Sequence, residues 1–179
     1  MAKQLKSGAS VPMADRPKIL VALNKVADAH DVDPAAIAGM IYLESVWNTK
    51  DITGQYIGLT QVGPEIPKKL GLTRKQFLNL SAPEQIDAYG TWLDYYKFTT
   101  KMGKHAIDVL ALPLARQAAI LQAMQFSPNG EKWKVALSKG DLTVKSTPSK
   151  QAKVLGDTSI GDMESYYAGF FKNRPPVYA

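Results

Sequence analysis

Glu44 ends an almost wholly apolar run from Ala35 to Leu43 and is followed by Ser45, Val46, Trp47 and Asn48. The run predicts a helix, so the carboxyl group falls in its last turn. The C-terminal end of a helix dipole is negative and disfavours a second negative charge there. Apolar neighbours add a desolvation penalty, and both effects raise a carboxyl pKa. A carboxylic acid still protonated near neutral pH can act as a general acid. Asn48 suits a cap on the helix end or a bracket for the loop that follows. That loop carries Asp51, Thr53, Gly54 and Tyr56 and closes on Gly58-Leu59-Thr60-Gln61.

Three blocks carry a family resemblance. E-S-V-W-N at 44–48 followed by G-L-T-Q-V at 58–62 resembles the signature of the soluble lytic transglycosylases and their goose-type-lysozyme-like relatives, in which E-S-x-x-N precedes a loop and then G-L-M-Q. From Pro67 to Tyr96, the segments K-K-L-G-L-T, F-L-N-L-S-A-P-E-Q-I-D and W-L-D-Y-Y are similar to muralytic domains of bacteriophage tail and lysis proteins. Ala123 to Trp133, A-M-Q-F-S-P-N-G-E-K-W, resembles a diverged A-Y-N-A-G-P-x-x-x-x-W segment. The resemblance spans Ile19 to Leu137.

It implies a lysozyme-like helical domain that cleaves the β-1,4 bond between MurNAc and GlcNAc in peptidoglycan with one catalytic residue, Glu44. Most glycosidases pair two carboxylates around an oxocarbenium-like transition state. The family instead uses one Glu first as acid and then as base, yielding a 1,6-anhydro sugar with help from the substrate N-acetyl group. The substrate-binding residues it implies are Ser45, which would also orient the Glu, Thr53, Gln61 and Gln125. Tyr56 offers a face for sugar stacking, or a core aromatic; a Ser at a helix end equally suits a local backbone bond. Two departures stand out. Thr60 replaces the family Met, and Met124 stands where a Tyr would reach the catalytic Glu. Tyr42, Tyr89, Tyr95 or Tyr96 could supply the absent phenol.

Two other readings compete. With Asp51 as second carboxylate, the outcome would be a hydrolytic lysozyme. With the cleft kept and turnover lost, the chain would be a wall-binding structural component of a virion. His30 and His105 have no motif around them and suit surface or capping roles; no metal-ligand spacing occurs, so no metal or other cofactor is expected.

The elements that must carry these residues read as all-α, with minor β in the loop after Glu44. Pro17 opens a helix to about His30, and Asp33-Pro34 caps the helix that delivers Glu44. An extended strip fits Gln55–Val62. Thr73 with Gln76 and Ser81 with Glu84 are capping boxes, the second opening a helix from Pro83 to Thr99. Helices follow over Leu114–Phe126 and Glu131–Ser138. Residues 1–15 read as a flexible arm, 16–138 as the lysozyme-like domain, and 139–179 as a linker-like stretch with an aromatic end. That end either folds back on the core or docks on another virion protein.

At 179 residues the chain fits one domain, with 45% hydrophobic and 21% charged residues. It has no cysteine, which excludes disulfides and Cys-based zinc sites. Its net charge of +6 favours anionic partners such as a bacterial envelope. The lysines are scattered, with no aromatic-interleaved tract, so nucleic acid is not an expected partner. No apolar run reaches the ~18 residues of a membrane span, and the start lacks the apolar core of a signal peptide. The expected location is therefore a virion, or the periplasm and cell wall after release.

Overall fold

The computed structural model describes residues 15–145 and 158–173. Nine helices and one two-stranded hairpin occur among them: α1 (Arg16–His30), α2 (Pro34–Ser45), β1 (Ile52–Thr53), β2 (Tyr56–Ile57), α3 (Glu65–Lys69), α4 (Arg74–Leu78), α5 (Ala82–Tyr95), α6 (Phe98–Lys104), α7 (Leu114–Phe126), α8 (Glu131–Ser138) and α9 (Ile160–Asn173). The fold is all-α, and none of these helices is long and apolar enough to cross a membrane.

The central element is α2. Asp33 caps it, its Oδ1 accepting the Ala35 N–H at 2.7 Å, and Pro34 occupies the first turn. Because α2 is apolar on all sides, it has to be covered on all sides. Contacts with α1, α7 and α9 do this, and Ala36, Ile37, Met40 and Ile41 are fully buried. A Cβ on Gly39 would lie 2.7 Å from the tip of Phe171, so the glycine sets how closely α9 approaches. The helix stops because Val46 and Trp47 both take left-handed backbone, φ 53° and 62°. For a β-branched residue that conformation costs about 1–3 kcal/mol and needs support from its surroundings.

Beyond α2, β1 and β2 pair antiparallel around Gly54-Gln55, with Ile52 opposite Ile57 and Thr53 opposite Tyr56. A further bridge joins Ile57 to Val62, which folds the expected extended strip back on itself. Both capping boxes form. The Thr73 Oγ1 accepts the Gln76 N–H at 3.2 Å, and the Ser81 N–H donates to Glu84 Oε2 at 2.7 Å.

The helix expected over Pro83–Thr99 is instead two. α5 ends at Tyr95, Lys97 is left-handed at φ 56°, and α6 starts at Phe98. α7 and α8 have the expected limits. In the C-terminal stretch, α9 is a core element: Ile160, Met163 and Tyr167 are buried, and Phe170 and Phe171 pack against the core. The described part of the aromatic end therefore folds back on the domain. The expected arm, apart from Asp15, and residues 146–157 and 174–179 lie outside the described residues.

Candidate active site

Three glutamines on α7 organise the surroundings of Glu44. Gln117 Oε1 accepts the Asp33 N–H at 2.7 Å, fixing the start of α2. Gln122 Nε2 donates to Glu44 Oε1 at the end of α2. Gln125 Nε2 donates to the Thr60 carbonyl at 3.0 Å, holding the Gly58–Gln61 turn. Residues three apart on a helix are neighbours on one face. Gln122 and Gln125 therefore hold the acid and the turn to adjacent positions of one rigid element. Gln122 is itself fixed from behind: the Tyr167 hydroxyl of α9 donates to its Oε1 at 2.9 Å, with both side chains buried.

Tyr89 and Tyr167 lie within reach of the Glu44 charge. Burial, then the Glu44 charge, raises the pKa of Tyr89 on α5, and its buried hydroxyl has no hydrogen-bond partner among the described residues. Burial, followed by the charge of Glu44 and the nearby hydroxyls of Tyr166 and Tyr89, raises Tyr167 well above its ordinary value. Of the four tyrosines considered as substitutes for the absent motif phenol, Tyr89 is under the influence of Glu44. Tyr42 packs on Phe170, Tyr95 is exposed beneath Lys69, and Tyr96 donates to Glu65 Oε1 at 3.2 Å.

Glu44 is half-buried. Ser45 departs from the expectation that it meets substrate and orients the Glu. It is buried, and its hydroxyl donates to the Ile41 carbonyl at 3.2 Å, because its place on the helix directs it to the preceding turn. Asn48 brackets the loop, its Oδ1 accepting the Lys50 N–H at 3.0 Å. Thr53 and Tyr56 are exposed on the hairpin. Gln61 is buried at φ 48°; its Nε2 donates to the Gly58 carbonyl at 2.9 Å, while its Oε1 has no partner among the described residues. The Asp51 carbonyl accepts the Gly58 N–H at 2.9 Å, tying the two ends of the loop.

The sequence reading did not single out Gln122, Tyr167, Gln85 or Glu65. Gln85 is fully buried, and it accepts the Leu59 N–H at 2.9 Å while donating to the Thr49 carbonyl at 3.0 Å. It thereby cross-links the segment leaving α2 to the turn before Gln61. Glu65 lies with Tyr96, Tyr95 and Tyr56. Burial, then the Glu65 charge and its hydrogen bond, push Tyr96 up to about 12. Gln122 carried a signal that could have been used, as an amide in the apolar run Ala118–Ala123. A polar side chain on a buried helix face needs a partner.

His30, expected at the surface or as a cap, is buried; its Nε2 meets the Gly90 carbonyl at 3.1 Å. A separate open depression of about 570 Å³ lies beside it, lined by Asp31, Phe98, Met102 and Ile107 among others, and none of the expected site residues lines it. Among the described residues, no group of three or more His, Asp or Glu could hold a metal ion. The arrangement offers a half-buried carboxyl group, which can give or take a proton, with the Gln122 amide donating to it, and an adjoining hairpin that exposes Thr53 and Tyr56. No family model matches this sequence, and no curated protein matches it.

Proposed function

We propose that this protein is a peptidoglycan lytic transglycosylase of lysozyme-like fold, encoded by a bacteriophage for cell-wall penetration or lysis and acting from the virion or after release to the periplasm. The observation that carries the proposal is the α7 face: Gln122 holds Glu44, and one turn on Gln125 holds the Gly58–Gln61 turn. That juxtaposition sets an acid beside a loop whose hairpin, with Thr53 and Tyr56 exposed, can take a sugar chain.

In the proposed reaction, Glu44 as a carboxylic acid gives its proton to the glycosidic oxygen. The bond from MurNAc C1 to that oxygen breaks, and GlcNAc leaves with a free 4-hydroxyl. The substrate N-acetyl oxygen bonds to C1 and carries the positive charge. Glu44, now a carboxylate, takes the proton of the MurNAc 6-hydroxyl as that oxygen bonds to C1 and displaces the acetyl oxygen. The product is a 1,6-anhydro sugar, the acid is restored, and water is neither consumed nor released.

Clearing of purified sacculi should fall about 10²-fold or more in Glu44→Gln, the scale of general acid–base catalysis; an unchanged rate would defeat the assignment. Mass spectrometry of the digest distinguishes the chemistry. Anhydro ends support the transglycosylase, whereas reducing ends abolished by Asp51→Asn would favour a hydrolase with Asp51 as second carboxylate. Sacculus binding without clearing would point to a structural wall-binding component.

A further inference from the structure

We infer that Gln122 is the positioning residue of Glu44 and that its amide, braced by Tyr167, turns over as Glu44 loses and regains its proton. The inference rests on the proposed reaction for its purpose, since only a residue that is acid and then base needs a neighbour serving both states. Its geometry stands independently of that reaction.

In the arrangement seen, the Gln122 N–H donates to Glu44 Oε1 and the Tyr167 hydroxyl donates to Gln122 Oε1. This suits a carboxylate, which only accepts hydrogen bonds. A protonated Glu44 has an O–H to donate. Rotating the amide by about 180° presents Gln122 Oε1 to that O–H and swings its N–H toward the Tyr167 oxygen. A phenol can do what this requires, because it donates in one state and accepts in the other. Phenylalanine could do neither.

The cost of the alternatives favours the pair. Gln122 and Tyr167 are 2% and 0% exposed. A buried polar atom left without a partner is destabilising, so a fixed neighbour would penalise one of the two states of Glu44. Donation from Tyr167 also polarises the amide and strengthens its N–H toward the carboxylate. Tyr89 from α5 and Tyr167 from α9 both feel the Glu44 charge. Both are phenols with raised values, neutral throughout the working range, so neither contributes charge as Glu44 titrates.

Carboxyl-labelled NMR of the full chain reads the Glu44 titration directly, without any turnover. Gln122→Met should raise the Glu44 pKa by about one unit, because the carboxylate loses a charge-assisted donor. Tyr167→Phe should raise it less. In the double variant the Tyr167 change should add nothing, because it acts through Gln122. A Tyr167→Phe shift that persists at full size in the Gln122→Met background overturns the relay, as does a titration that neither variant moves. Should Gln122→Met fail to fold, Tyr167→Phe alone decides, removing one oxygen from an intact ring: no shift, no relay. The Glu44→Gln clearing assay tests the reaction separately, so the two ideas can fail independently.

Discussion

Near Glu44, hydrogen-bonding capacity decides more than charge does. Tyr89 is the informative neighbour, since its hydroxyl is buried without a partner among the described residues although it feels the Glu44 charge. Retaining an unpaired buried hydroxyl is unfavourable, and deleting one is nearly neutral or stabilising. Tyr89→Phe is therefore expected to leave the melting temperature unchanged or slightly raised, while sacculus clearing falls if the phenol assists the acid. A loss of stability of about 1 kcal/mol or more in chemical denaturation would mean that the hydroxyl is paired in solution. Two phenols from different parts of the chain, Tyr89 and Tyr167, feel the Glu44 charge. One, Tyr89, stood among the candidates legible in the sequence. Tyr167 did not, because it lies 45 positions beyond Gln122 and nothing local marks it.

Among the elements, the loop after α2 depends on one residue of α5. Gln85 accepts the Leu59 N–H and donates to the carbonyls of Thr49, Phe77 and Leu80. Next to it, Gly58 has φ 78°, and a Cβ there would sit 2.5 Å from Gln85 Oε1. Gln85→Leu strands several buried backbone groups at once, for an expected loss of about 3 kcal/mol in urea unfolding. Clearing activity should fall even at temperatures where the variant is folded, because the Gln61 turn loses its anchor. Elements announced by local chemistry were legible in the sequence: the Asp33-Pro34 start of α2, both capping boxes and the limits of α7. The break at Lys97 was not, since Phe98 and Met102 continue the apolar spacing and the left-handed backbone falls on a lysine with no sequence mark. α9 was hidden for another reason. Gly161 and Gly169 weaken its intrinsic propensity, and its order comes from packing on α7 and α2.

Across the whole molecule, the α1–α5 contact supports the α2 layer, and it contains a titratable group where α1 ends. His30 is the last residue of α1, its side chain against the Gly90 carbonyl, and Gly90 is close enough to α1 that a Cβ would meet Val26 at 3.2 Å. Burial lowers the His30 pKa; the charges of Asp94, with Oδ1 at 3.9 Å, and Asp31 offset this only in part. The sign follows from proton counting. Below the ordinary imidazole value of 6.5, the unfolded chain binds a proton that the folded chain resists. Stability from this site is therefore complete above that value and is lost as pH falls from it toward the lowered folded pKa. The slope contributed by a single group cannot exceed about 1.4 kcal/mol per pH unit. Urea unfolding at about pH 7.5 and about pH 5.5 should show the folded state weakening over that interval. His30→Gln can keep an amide N–H toward the Gly90 carbonyl and cannot titrate, so it should flatten the dependence. An equal slope in both proteins would place the acid sensitivity elsewhere. A stability that rises on acidification in the wild type alone would mean that Asp94 and Asp31 outweigh burial and that His30 is charged in the folded protein.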